Sequence, residues 1–291
     1  MSHHLTGSAT DGPSTGMDPA FVFDFRPTDD PSAESGQRWS TWASVEPLCR
    51  GPEPRPDWLV TDHAAVDTDL GVLKTGKEAD VFLLERAVPG GASVVMAAKR
   101  YRGEETRAFH RSAAYTEGRR TRNSRDTRAM AKKTAHGRAV AAGQWAWAEW
   151  EVLGRLWSMG LPVPYPVQLD GTEILMEFIG SEGVAAPRLA QARPEREVLG
   201  SWFEQLREAM ATMVQHGIVH GDLSPYNILA DGDRLVIIDL PQAVDLVGNP
   251  LGMDFLLRDC ANVCDWFRRR GLSAELADEH ALYGDLLATA F

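Results

Sequence analysis

Ten residues, His220 to Leu229 (His-Gly-Asp-Leu-Ser-Pro-Tyr-Asn-Ile-Leu), and the apolar run Leu235 to Asp239 after them limit what this chain can fold into more than any other stretch. They place a carboxylate at Asp222, a carboxamide five positions on at Asn227, and a second carboxylate at Asp239, where an apolar strand ends. Oxygen donors converging on one point are what hard Mg²⁺ takes while it keeps waters and accepts phosphate oxygens. A surface turn rich in Asp and Asn would not need apolar strands on both sides. The pattern points to phosphoryl transfer from a nucleotide.

The totals fit a folded enzyme. A chain of 291 residues is enough for one two-lobed domain or two small ones. No apolar run approaches the roughly 18 residues of a membrane span, and Met1 to Ala20 has no signal-peptide core, so a cytoplasmic protein with no membrane contact is expected. The three cysteines agree: Cys260 and Cys264 lie one helical turn apart in a segment that reads as helix, a spacing that suits buried thiols, and Cys49 is alone. A net charge of −11 speaks against general nucleic-acid binding. Within it, Arg100 to Arg138 holds twelve Lys and Arg against four acidic residues. That cationic stretch is a candidate contact for a phosphate-rich or acidic partner, RNA or a ribosomal particle among them.

Residues 1–67 are rich in Pro, Gly, Ser, Thr and Asp and read as a mostly disordered tail, with aromatic islands at Phe21 to Phe25 and Trp39 to Val45 able to dock on the body or on a partner. Residues 68–179 read as a first lobe. Strands are expected at Asp69 to Leu73, Ala79 to Glu85 and Ser93 to Tyr101, followed by a flexible basic loop over 102–136 and a helix from about Gly137 to Met159. The first turn carries Thr75, Gly76 and Lys77, a glycine hairpin able to lay N–H groups and an ammonium over phosphates. Gly71-x-x-x-x-Gly76-Lys77 comes within one residue of a Walker A motif, but Glu78 occupies the place of the Mg²⁺-binding Ser or Thr and a strand follows, so a P-loop is rejected. Lys99 ends the third strand as a phosphate-binding lysine would, and Glu149 and Glu151 on the helix are both candidate partners that spacing does not separate. A hairpin around Asp170-Gly171 leads into Met176, Glu177, Phe178 and Ile179, the expected connector between lobes. Residues 180–291 read as a reduced second lobe: a helix from Glu195 to His216, the Asp222 loop, and two helices at about Leu251 to Arg270 and Ala274 to Ala290. Only 52 residues follow Asp239, too few for a long activation loop and a large peptide-gripping subdomain.

These segments together resemble the RIO family of atypical protein kinases. The likeness is carried by Thr75-Gly76-Lys77-Glu78-Ala79, Leu175 to Gly180, His220-Gly221-Asp222-Leu223, Asn227, Ile238 to Val244, and Arg258-Asp259-Cys260-x-Asn262-Val263, over roughly Asp69 to Leu272. The resemblance implies an α+β, two-lobed protein-kinase-like fold with a reduced C-terminal lobe, ATP and Mg²⁺ as cofactors, and phosphorylation of protein Ser or Thr, autophosphorylation included. It implies Asp222 as catalytic base and Asn227 and Asp239 as metal ligands. ATP contacts would come from Thr75, Lys77 and Lys99, with Glu151 pairing Lys99 and Met176, Glu177, Phe178 and Ile179 bordering adenine. It also admits a conformational ATPase with a phosphate carried on Asp239, acting in ribosome assembly. A small-molecule kinase with a His-Gly-Asp loop is the remaining reading, against which stand the Thr75 to Ala79 turn and the short C-terminal region.

Overall fold

The computed structural model describes residues 36–102 and 135–290. Its first lobe is a six-stranded sheet of β1 (Gln37–Trp39), β2 (Val66–Thr75), β3 (Ala79–Ala87), β4 (Ser93–Tyr101), β5 (Pro166–Asp170) and β6 (Glu173–Glu177). The strand order is β1-β2-β3-β4-β6-β5, and every neighbouring pair is antiparallel. Helix α1 (Ala135–Ser158) packs on one face of it. The period-2 pattern of β4 divides its side chains between two cores. Tyr101 joins Ala142, Ala146 and Trp150 of α1, whereas Met96 and Ala98 join Leu84, Tyr165 and Val167 on the other face. The strand after the Gly76 turn excludes the helix that a P-loop would open.

Order starts earlier than composition predicts. A disordered tail was expected through residue 67, yet from Gly36 onward the chain packs on the sheet. Trp42 inserts beside Leu84, Met96 and Ala98, while Val45 and Cys49 meet Trp150, whose Nε1 donates to the Leu48 carbonyl at 3.0 Å. A Pro- and Asp-rich segment cannot build its own core, but it needs only a few anchors when the sheet supplies the rest. The island at Phe21 to Phe25 and most of the cationic stretch, residues 103–134, lie outside the described residues.

The second lobe holds β7 (Gly180–Ser181), β8 (Val184–Ala185), α2 (Arg196–Gln215), β9 (Ile218–Val219), β10 (Ile228–Asp231), β11 (Arg234–Ile237), β12 (Val244–Asp245), α3 (Gly252–Arg269) and α4 (Glu279–Ala290). Leu199, Trp202, Phe203, Leu206, Met210 and Met213 form the buried stripe of α2, as their spacing predicts. Phe203 meets Phe267 of α3 edge to face, with centroids 5.2 Å apart. Cys260 and Cys264 are buried free thiols in that core. The last helix begins later than its apolar pattern suggests because Asp278 stops it: its Oδ1 accepts from the Ala281 N–H at 2.7 Å, an N-terminal cap. The link between lobes turns at Gly180, where φ is +150° and a Cβ would lie 2.2 Å from the Val184 carbonyl oxygen, so only glycine fits. Among the described residues, no helix is long and apolar enough to cross a membrane.

Candidate phosphoryl-transfer site

The β4 register fixes Lys99 opposite Val81 on one side and Ile174 on the other, on the sheet face turned toward α1. Its Nζ lies 2.6 Å from Glu149 Oε1 and 2.8 Å from Asp239 Oδ1, so one ammonium joins the sheet, α1 and the second lobe. Glu149 is 3% exposed, accepts a second bond from the Tyr101 hydroxyl, and takes the Leu240 N–H at 3.3 Å. This corrects the expected pairing with Glu151, which lies on the exposed side of α1. Two residues along a helix is about 200° of rotation, so both glutamates could not face the sheet. The buried side of α1 decides between them. Ala142, Ala146, Glu149, Trp150, Leu153 and Leu156 form one stripe at helical spacing, and Glu151 is off it.

The electrostatics follow from this packing. Burial alone would lower the Lys99 ammonium, but Asp239 and Glu149 more than offset it and raise it well above its ordinary value. Lys99 in turn holds the Asp239 carboxyl down, at about 2. Burial, then the Glu149 charge, pushes the Tyr101 phenol well up, which keeps it a hydrogen-bond donor. Asp239 has φ of +68°, a left-handed conformation unfavourable for a residue with a side chain. Such strain persists only where the surroundings impose it, and here it brings the carboxylate to Lys99.

Asp222 and Asn227 occupy one loop between β9 and β10. Asn227 Nδ2 donates to the Asp222 carbonyl at 2.9 Å and approaches its Oδ2 at 3.4 Å, so the amide group spans the loop. His220 is buried and holds the segment just after β11, its Nε2 3.2 Å from the Ile238 carbonyl oxygen; burial lowers its pKa and favours the neutral ring. Gly221 has φ of +81°, a conformation that suits glycine at the position before Asp222.

The anchor of this loop is a residue to which sequence reasoning gave no role. Asp259 of α3, 1% exposed, accepts the Gly221 N–H at 2.8 Å on Oδ2 and the Leu223 N–H at 2.9 Å on Oδ1, holding both neighbours of Asp222. Arg258 binds the Gly221 carbonyl, and Asn262 Nδ2 donates to the Leu223 carbonyl at 3.0 Å. A buried acidic residue on an apolar helix stripe, next to two cysteines, was the available signal.

The remaining candidates sit at the rim. Thr75 and Lys77 are exposed at the end of β2 and in the turn after it. Met176 lies opposite Ala97, and the Glu177 carboxylate accepts the Tyr165 N–H at 3.0 Å. The Ile179 carbonyl is taken by Ala186 N–H at 3.0 Å. At the described start of the cationic stretch, Arg100 pairs with Asp69 and Glu173 and Arg102 with Asp80, so both serve the sheet itself.

A sheet lobe that offers a lysine, a helix carboxylate that grips it, and a helical lobe that supplies an Asp/Asn loop and a further Asp define a two-lobed protein-kinase-like fold. A family model described as RIO domain matches residues 93–281. The chain is 35% identical over 210 residues to the RIO-type serine/threonine-protein kinase Rio1 of Haloferax volcanii, covering 72% of this chain and 67% of that one. It is 31% identical over 211 residues to the protein of the same name from Methanocaldococcus jannaschii, covering 72% and 66%. Against the serine/threonine-protein kinase RIO1 of Caenorhabditis elegans it is 36% identical over 129 residues, 44% of this chain and 25% of the relative. The chain belongs to the RIO-domain family of serine/threonine-protein kinases.

Proposed function

We propose that the chain transfers the γ-phosphoryl group of ATP, with Mg²⁺, to serine or threonine hydroxyls of protein, its own included. One observation carries this reading: Lys99 joins Glu149 and Asp239 in a single ion-paired centre formed by both lobes. In it, Asp222 takes the proton of the attacking hydroxyl, and Lys99 orients phosphate oxygens. Orientation and charge stabilisation are most of what phosphoryl transfer asks of a protein.

The donor set fits Mg²⁺. Asn227 spends its Nδ2 within the loop, which leaves Oδ1 for a cation, and Asp239 adds a partly exposed carboxylate. Among the described residues, no group of three or more His, Cys, Asp and Glu forms an all-protein cage, in keeping with a metal held by one or two side chains and substrate phosphates. Asn227 and Asp239 would hold Mg²⁺, which would supply positive charge against that of the phosphates. Among the described residues, nothing accepts from the Ile179 N–H, which suits a donor waiting for the edge of an adenine base.

The protein substrate is a Ser- or Thr-bearing chain. Beyond Arg100 and Arg102, the cationic stretch supports a phosphate-rich partner such as RNA through charge alone. Buried free thiols suit a reducing compartment such as the cytoplasm. Labelled ATP with Mg²⁺ tests the activity: wild type should acquire acid-stable phosphoserine or phosphothreonine, and chelating Mg²⁺ should abolish the labelling. Equal labelling of wild type and Asp222→Ala would remove Asp222 as the base.

A further inference from the structure

Two cations reach the cleft from opposite lobes at positions without a role in the site so far. Lys74 of β2 stands opposite Val81 of β3, and Val81 stands opposite Lys99 of β4. Directly opposed residues on antiparallel strands project from the same side of a sheet, so Lys74 and Lys99 share one face. From the second lobe, Arg188 is tied to the Asp222 loop and to β10, the strand that follows it. It forms an isolated backbone bridge with Leu229, and its Nη1 donates to the Tyr226 carbonyl at 2.5 Å, one residue before Asn227.

The two side chains act on one another across the gap. Desolvation in the cleft, then the Arg188 guanidinium, lowers the Lys74 ammonium, with Asp239 pulling the other way and Lys99 adding to the repulsion. Lys99 and Lys74 both act on Asp239, whose Oδ1 is already held by Lys99 at 2.8 Å. Burial, and then the Asp239 charge, pushes the nearby Glu78 carboxyl up. Like charges brought together from two lobes are unfavourable until an anion lies between them. Lys74 is exposed, so the anion can come from solvent.

We propose that Lys74 and Arg188 form a clamp for the polyphosphate of the bound nucleotide, one cation from each lobe. It rests on the kinase reading, because that reading puts a polyphosphate in this cleft. Lys99 is committed to Glu149 and Asp239, so the clamp supplies charge that Lys99 cannot give alone. The guanidinium contributes a fork fixed to the catalytic loop, and the ammonium a mobile point charge from the sheet. Phosphate binding would therefore draw the lobes together.

Equilibrium titrations of Mg·ATP and of adenosine into wild type, Lys74→Gln, Arg188→Gln and Lys74→Arg test this. Each Gln variant is expected to bind Mg·ATP about tenfold more weakly, with adenosine affinity within about twofold of wild type. Lys74→Arg, which keeps the charge and the backbone, should recover most of the loss. Equal losses for both ligands, or Lys74→Arg as weak as Lys74→Gln, would overturn the clamp. Tight Mg·ATP binding by wild type with no loss in the Gln variants would overturn the clamp and leave the kinase reading standing. Wild type that binds Mg·ATP no better than adenosine would overturn both.

Discussion

Lys99 has two carboxylate partners, and they do different work. Glu149 is buried and fixes the lysine to α1, with Tyr101 occupying its other oxygen. Asp239 is partly exposed and reaches from the other lobe. Glu149→Gln keeps the shape but removes the charge that holds the ammonium from behind, so Lys99 is no longer fixed where phosphate would meet it. Phosphoryl transfer should fall roughly 10- to 100-fold, since catalysis of this kind rests on positioned charge. Glu151→Gln, on the exposed side of the same helix, should stay within about twofold of wild type. Initial rates with Mg·ATP decide the matter, and comparable losses in the two variants would break the assignment. Spacing did not separate these glutamates; the buried side of α1 does, since Glu149 lies on it with Ala142, Ala146 and Trp150 and Glu151 does not. That Asp222 and Asn227 share one loop was legible from their spacing between two apolar strands. Its support from Asp259 was not, because nothing local in the sequence says which distant backbone a buried carboxylate will hold.

At the level of elements, β4 and α2 were readable because a clean period of two or 3.6 residues dominates each segment. Helix α3 shows what periodicity leaves out: besides building the core, it delivers Asp259 to the Asp222 loop. Burial pushes the Asp259 carboxyl from 3.8 up to about 7, against the pull of the Gly221 and Leu223 N–H groups. Linkage then sets a sign. Between about pH 4 and pH 7 the folded protein keeps a proton that the unfolded chain has released, so this residue makes stability fall as pH rises through that interval and level off above it. The drop attributable to Asp259 is on the order of 2–4 kcal/mol. Asp259→Asn cannot titrate and should lack this slope, while losing activity because one backbone donor beside Asp222 loses its acceptor. Urea unfolding of both proteins from pH 4.5 to 8 measures the difference; parallel stability profiles would show that the carboxyl does not titrate there.

Across the whole molecule, the segment before β2 belongs to the first lobe. Trp42 covers Leu84, Met96 and Ala98, while Asp67 holds the guanidinium of Arg86 through bonds of 2.7 and 2.9 Å to Nε and Nη2. Arg86 is fully buried, and Gln168 accepts from it at 3.0 Å before passing the network to Thr41 at 2.8 Å. The N-terminal segment is thus pinned by an apolar plug and by a polar chain that ends on it. Composition could not reveal this, since both anchors depend on a sheet formed by residues farther along the chain. Asp67→Ala leaves a buried guanidinium without its charge partner and should cost about 3–5 kcal/mol. Trp42→Ala should cost a similar amount, about 3–5 kcal/mol, by opening a cavity over the sheet. The two act on one lobe whose β4 carries Lys99, so loosening it should weaken Mg·ATP binding before global unfolding is complete. Denaturant titrations followed by tryptophan fluorescence, run with and without Mg·ATP, test the coupling. A ligand that protects wild type but protects Trp42→Ala equally, at the same concentration, would show that the outer sheet face and the nucleotide cleft are energetically independent.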